Sequence, residues 1–289
     1  MESNIVTAIF LPVALGIVML GLGITLTIDD FKRVFLYPKA ALVGLGAQML
    51  IMPFVCFGIA IAFSLPGELA VGLMLLAASP GGATANLFSH LSKGDVALNI
   101  TLTAVNSVLT LFTLPFIVNL SLIYFIGEGK IIPLQFSKVM QIFFIVLGPV
   151  AIGMTIRNRS RIFAKKMETP VKILSALFLL LMVAGTIYNE RLNFVNFFKL
   201  VGLPALAFNL TSMFLGFYIP RILGMGKKQC ISIGMEIGVH NGVLAMAIAS
   251  SPLLLNNSTM AIPPAIYSLI MLFTAAGFGF LVQYFSSES

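Results

Sequence analysis

The stretch Gly226–Ser251 reads GKKQCISIGMEIGVHNGVLAMAIASS, and it sets Glu236, His240 and Asn241 inside an apolar run interrupted by Gly238 and Gly242. An ionised carboxylate at membrane depth costs about 2.5–3.5 kcal/mol on insertion scales, so it requires a partner. Two glycines beside a polar trio weaken a helix at that point and free backbone carbonyls, which lipid tolerates only where protein or a water-filled cavity surrounds them. The chemistry these residue types suggest is cation binding at a broken helix.

A second run, LAVGLMLLAASPGGATANLFSHLSKG over residues 69–94, is interrupted by Pro80-Gly81-Gly82. The proline removes an amide donor and the glycines loosen the backbone. Polar residues within apolar runs are few: Gln48; Thr84, Asn86, Ser89 and His90 near this break; and Asn99, Thr101, Thr103, Asn106 and Ser107 in the run that follows. Hard cations take oxygen ligands, which amide and hydroxyl side chains, freed carbonyls and one carboxylate supply. Asn99 and Thr103 are four apart and share a helix face. Plainer readings stand beside this one. Thr101 and Ser107 fit hydroxyls bonded to the preceding helical turn. Asn86, Asn99 and Gln48 equally fit hydrogen bonds between helices. His240 is compatible with a titrating group, a ligand or a partner of Glu236.

No catalytic residue is identified. With two His, no metal-ligand spacing, no G-x-S-x-G and no phosphate-cradling loop in strand-to-helix context, the sequence assembles no enzyme site, and E-x-x-x-H is not H-E-x-x-H. Cys56 and Cys230 lie far apart in or beside apolar runs and read as packing residues.

The elements that position these residues follow from composition. The 289 residues are 59% hydrophobic and 9% charged, with a mean hydropathy of +1.05, which predicts an integral membrane protein in contact with the lipid bilayer. Runs of about 20 residues without alternation indicate helices rather than barrel strands. Nine spans are expected, at roughly 4–26, 38–63, 68–92, 95–125, 133–156, 170–188, 198–222, 227–251 and 260–285, so the class is an all-α polytopic membrane protein. The first run lacks a basic leader region and a cleavage site and reads as a retained span.

Lys32, Arg33, Lys39, Lys93, the basic residues from Arg157 to Lys172, and Arg221, Lys227 and Lys228 then fall on one side; Lys130, Lys138, Arg191 and Lys199 fall on the other. The richer side is cytoplasmic, which puts the N-terminus outside and the C-terminus inside a cell (inner) membrane. The net charge of +7 is accounted for by these loops, and no nucleic-acid partner is needed.

Two Gly/Pro-interrupted spans at corresponding positions point to a transporter of inverted repeats with a site at mid-membrane depth. The first repeat covers residues 1–125 with its break at 80–86, and the second covers 133–289 with its break at 236–242. The first has four spans and the second five, so the first lacks an opening helix.

The sequence resembles the bile acid:sodium symporter family, in its bacterial, nine-span form. The residues that carry the resemblance are Pro80-Gly81-Gly82-Ala83-Thr84-Ala85-Asn86, Gly94-Asp95-Val96-Ala97-Leu98-Asn99 with Thr103, Gln48, and Glu236-Ile237-Gly238-Val239-His240-Asn241. The resemblance implies a panel subdomain, a core subdomain in which two broken helices cross, and two Na+ ions. It implies one Na+ at Asn86, Asn99, Thr103 and Glu236, and another at Gln48, Glu236, His240 and the carbonyls of Ile237 and Val239. It also implies a substrate cavity at Ala83, Met271 and Leu272. The chain departs from the family's pattern at Ala85, where many members carry Ser, at Asn99, where Ser is commoner, and at His240, where Gln is usual.

These readings lead to a sodium-coupled symporter of a small organic anion, pantoate-like or bile-acid-like, that works by alternating access. Its carboxylate would meet helix N-termini at the breaks, chiefly the amides near Asn241 and Gly242. Two alternatives remain at this point: a proton-coupled carrier that uses Glu236 and His240, and a membrane sensor or scaffold that binds without transport.

Overall fold

The computed structural model describes residues 5–127 and 136–284; Lys130 and the expected opening of the fifth span at Pro133 lie outside the described residues. In lipid every backbone N–H and C=O must bond within its own segment, so long apolar runs become helices. The described residues form α1 (Ile5–Thr25), α2 (Ile28–Lys32), α3 (Pro38–Gly46), α4 (Met52–Ala62), α5 (Gly67–Ala77), α6 (Ala83–Leu91), α7 (Val96–Ile126), α8 (Phe136–Arg159), α9 (Arg161–Asn189), α10 (Phe194–Ile222), α11 (Lys227–Gly238), α12 (Gly242–Ser250) and α13 (Ile262–Tyr284). No strand occurs among them; the described structure is all-helical.

Local sequence explains the interruptions. A π-helical turn, Ala47–Ile51, joins α3 to α4 and carries Gln48. Pro53 follows it and has no N–H for the carbonyl of Met49, which favours a widened turn there. Pro80 and the two glycines end α5, and α6 begins at Ala83. Asp95 caps α7 by accepting the Leu98 N–H at 3.0 Å.

Five described helices are long and apolar enough to cross a membrane: Pro38–Ala62, Val96–Ile126, Arg161–Asn189, Phe194–Ile222 and Thr259–Tyr284. Pro12–Thr25 with Ile28–Phe35, bent by 73°, would make a sixth. The protein is therefore a multi-pass membrane protein. The half-helices α5, α6, α11 and α12, of 9 to 12 residues, reach only about 14–18 Å each at 1.5 Å per residue.

Helices α1, α8 and α9 pack on one another, and α10 lies along α11 and α13. Helix α7 packs against α5, α6 and α11. Large apolar side chains such as Phe54, Phe112, Phe116, Phe273 and Phe280 are exposed on the outside, where a bilayer would solvate them. Cys56 and Cys230 are free and buried.

Candidate functional site at the crossing of two broken helices

The two breaks meet. Gly81 and His240 form an isolated antiparallel bridge, and the Asn241 N–H donates to the Pro80 carbonyl at 2.8 Å. Each interruption thus supplies hydrogen bonds that the other's broken helix has lost. The approach is tight: a Cβ on Gly81 would lie 2.5 Å from the Glu236 carboxyl carbon, so residue 81 has room for no side chain.

Glu236 is fully buried. Its Oε2 accepts from Thr103 Oγ1 at 2.6 Å and from Asn99 Nδ2 at 3.3 Å, and its Oε1 accepts from Asn106 Nδ2 at 3.1 Å. All three donors lie on α7, on the face set by positions 99, 103 and 106. Asn99 Nδ2 also donates to the Ser232 carbonyl at 3.0 Å and so ties α7 to α11. Asn86 Oδ1, on α6, stands 3.5 Å from Thr103 Oγ1. This brings Asn86, Asn99, Thr103 and Glu236 together in one cluster, and adds Asn106.

No Lys or Arg forms an ion pair with Glu236 among the described residues; Lys32 pairs with Asp29 and Arg33 with Asp30. The carboxylate is held by neutral amides and a hydroxyl, while the side-chain oxygens of Asn99 and Asn106 are buried without a hydrogen-bond partner. A buried carboxylate beside unpartnered amide oxygens attracts a hard cation. No three His, Cys, Asp or Glu side chains cluster as metal ligands among the described residues.

Gln48 and His240 form a second, separate cluster. Gln48 Nε2 is 3.3 Å from the Ala77 carbonyl, 3.1 Å from that of Ser79 and 3.4 Å from His240 Nδ1. His240 Nδ1 is 3.0 Å from the Ser79 carbonyl. The imidazole stacks on Phe208, with centroids 5.5 Å apart and planes at 13°, and Tyr267 flanks it at 5.6 Å.

Ile237 and Val239 are buried beside the second break. The amide four residues beyond Ile237, that of Asn241, goes to Pro80 instead. The Gly238 carbonyl accepts from Asn209 Nδ2 at 2.8 Å and from Tyr267 Oη at 2.9 Å. The sequence reading includes none of Asn209, Phe208, Tyr267 or Ser79 as site residues. Asn209 alone carries a signal, as an amide within an apolar run, and nothing in its spacing says which break it faces.

On the other face of the crossing lies a cavity of about 280 Å³, lined by both half-helix starts. Ala83, Asn241, Gly242, Met271 and Leu272 all line it, together with Gly82, Thr84 and residues of α1 and α9 such as Val18 and Ser175. The structure differs from expectation in which amides it leaves available. The Asn241 N–H is taken by the Pro80 carbonyl across the crossing, and the Gly242 N–H by the carbonyl of His240, two residues before it, at 3.0 Å. Asn241 Oδ1 caps α12 by accepting the Leu244 N–H at 3.0 Å. The cavity is thus lined by the first turn of α6 at Ala83 and Thr84, the first turn of α12, and Asn241.

Comparison with known proteins places the chain. The sequence profile of the Sodium Bile acid symporter family matches residues 12–197. An "Uncharacterized sodium-dependent transporter YocS" of Bacillus subtilis (strain 168) is 30% identical over 267 residues, which cover 90% of this chain and 78% of that protein. A "Probable sodium/metabolite cotransporter BASS2, chloroplastic" of Oryza sativa subsp. japonica is 27% identical over 264 residues, 90% of this chain and 60% of its own. The human "P3 protein" is 30% identical over 233 residues, 78% of this chain and 47% of its own. The chain thus spans about three fifths of the rice protein and about half of the human one. With the family's profile matched across well over half its length, the chain belongs to the Sodium Bile acid symporter family.

Proposed function

We propose that the chain is a sodium-coupled symporter that carries a small organic anion across the membrane by alternating access. One observation carries this reading: a fully buried carboxylate, Glu236, held by amides and a hydroxyl with no basic partner among the described residues, stands where two broken helices cross. Sodium bound by Glu236, Asn86, Asn99 and Thr103, with Asn106 added, balances that charge. It also joins α6, α7 and α11, and this ordering favours anion binding on the far side of the crossing; the coupling is reciprocal.

The anion occupies the cavity at Ala83, Asn241, Gly242, Met271 and Leu272. Its carboxylate lies against the first turns of α6 and α12, where the helix dipoles and the Asn241 amide favour negative charge. A cavity of about 280 Å³ sits at the small end of ligand sites. That supports a pantoate-like monocarboxylate over a bile acid.

The architecture we propose has nine crossing segments, N-terminus outside and C-terminus cytoplasmic in a cell (inner) membrane. Two inverted repeats at 1–125 and 133–289 each contribute one broken segment, and α1, α8 and α9 form the panel against which the core moves. The reading in which Glu236 and His240 pass a proton gains no support, since the two side chains bond to different partners.

Uptake tests the reading: proteoliposomes that contain the purified chain are offered labelled small monocarboxylates under an inward Na+ gradient or equimolar choline. Sodium-dependent accumulation of at least one is expected. Uptake that ignores the Na+ gradient and follows a pH gradient would refute it, and so would ligand binding with no flux.

A further inference from the structure

The Gln48–His240 cluster was expected to hold a second cation, and its hydrogen-bond geometry argues the opposite. Pro80 ends α5 without an amide to offer, so the carbonyls of Ala77 and Ser79 lie at the negative end of that half-helix and require positive partners. Gln48 Nε2 points at both, at 3.3 and 3.1 Å, and its two hydrogens match the two carbonyls. His240 Nδ1 lies 3.0 Å from the Ser79 oxygen. That spacing between a ring nitrogen and a carbonyl is favourable only if Nδ1 carries the proton. The neutral imidazole is therefore the Nδ1–H tautomer, with Nε2 bearing the lone pair.

The donors of Gln48 and His240 are then all spent on the α5 carbonyls. Ser79 O receives two N–H groups and Ala77 O one, and the 3.4 Å approach of Gln48 Nε2 to His240 Nδ1 is a contact between two donors. The ring's position is set by Phe208, stacked at 5.5 Å, and by Tyr267. The remaining side-chain acceptors, Gln48 Oε1, Asn209 Oδ1 and His240 Nε2, carry no net charge, nor do the carbonyls of Ile237 and Val239, and one of the three is a nitrogen, a weak ligand for a hard cation. Glu236, the one carboxylate near the crossing among the described residues, turns both oxygens to α7 donors in the other cluster, so it supplies its charge there. A Gln at 240 keeps an N–H for the Ser79 carbonyl and adds an amide oxygen, a hard-cation ligand, where this chain has the unpartnered Nε2.

We infer that His240 and Gln48 replace a second sodium with a built-in hydrogen-bond lock on the α5 carbonyls, so that the chain binds one Na+ per cycle, at Glu236. This rests on the sodium reading above. It makes symport of a monoanion electroneutral, since one positive and one negative charge move together.

The test measures the ion directly. Binding of ²²Na+ to the purified full chain in detergent, with choline as the balancing cation, is expected to saturate at one ion per chain with a Hill coefficient near 1. Glu236→Gln is expected to abolish it, and His240→Gln to raise saturation to two ions. Two ions per unaltered chain would overturn the lock while leaving the sodium reading intact. No sodium binding at all would overturn the reading on which the lock rests. If His240→Gln does not stay monodisperse, the unaltered chain's stoichiometry alone decides; if it is monodisperse and still binds one ion, the assignment to His240 is wrong.

Discussion

The backbone N–H of Asn241 donates to the carbonyl of Pro80 at 2.8 Å, and this bond joins two interruptions 161 residues apart in the chain. Pro80 offers no amide of its own, and Asn241 leaves the carbonyl of Ile237 to reach it. The two half-helix pairs therefore form one object, with the Glu236 cluster on one side and the cavity on the other. A change in either break is transmitted to both.

Gly81→Ala tests the closeness of that crossing. Its methyl would lie 2.5 Å from the Glu236 carboxyl carbon, on a backbone already bridged to His240. The expected outcome is a loss of stability of about 1–3 kcal/mol from overpacking, together with loss of the sodium-dependent rise in melting temperature. Thermal melts in NaCl and in choline chloride measure both effects. A variant that melts like the parent in both salts contradicts the contact.

The Gly238 carbonyl gives a second test, because it has two donors, Asn209 and Tyr267. Tyr267→Phe and Asn209→Leu are each expected to cost about 1 kcal/mol, since each leaves one bond in place. The double variant leaves a buried carbonyl with no donor, so it should lose more than the sum, by about 1–3 kcal/mol. Strict additivity in the melts would mean that the two donors do not share this acceptor.

Asn241 has two separable jobs, and Asn241→Asp divides them. The carboxylate still caps α12 at the Leu244 N–H, so stability should stay within about 0.5 kcal/mol of the parent, whereas Asn241→Ala should lose about 1 kcal/mol with the cap. The new negative charge faces the cavity, and binding of small carboxylates should weaken at least tenfold, or about 1.4 kcal/mol. Isothermal titration with a panel of monocarboxylates reads the binding. Unchanged affinity would move the anion away from this helix start.

Ala83→Phe fills the cavity from the α6 side while standing apart from the Glu236 donors. Carboxylate-dependent stabilisation, about 2.7 kcal/mol at 100 times the dissociation constant, should disappear, and stabilisation by NaCl should remain. Loss of both would show that cation and anion share one site rather than two coupled ones.

The hydrogen-bonded cluster around Glu236 was largely legible in the sequence, because its logic is local and costly. Glu236 stands alone in an apolar run and demands partners, and Asn99 and Thr103 share a face by spacing; the structure brings both to the same carboxylate oxygen. Asn106, one turn further along that face, obeys the same rule and reaches the other oxygen. The role of His240 was not legible. A ring nitrogen gives no sign in sequence of the carbonyl it faces, and the ring's orientation comes from Phe208 and Tyr267, which read as ordinary core aromatics. The bond made by the Asn241 N–H was not legible for a related reason: it goes to Pro80 in the other broken run, and no local pattern records a bond made to another segment.

Sequence by itself determined that this chain is a membrane protein of helices with two of its runs broken, because lipid makes every charge, proline and glycine in an apolar run expensive and therefore conspicuous. It also determined that a carboxylate lies at one break. Only the tertiary structure decided that the breaks cross and which oxygens and N–H groups face one another there. Hydropathy acts residue by residue along a segment, whereas the satisfaction of freed carbonyls and of a buried charge depends on which distant segments lie within 3 Å of them.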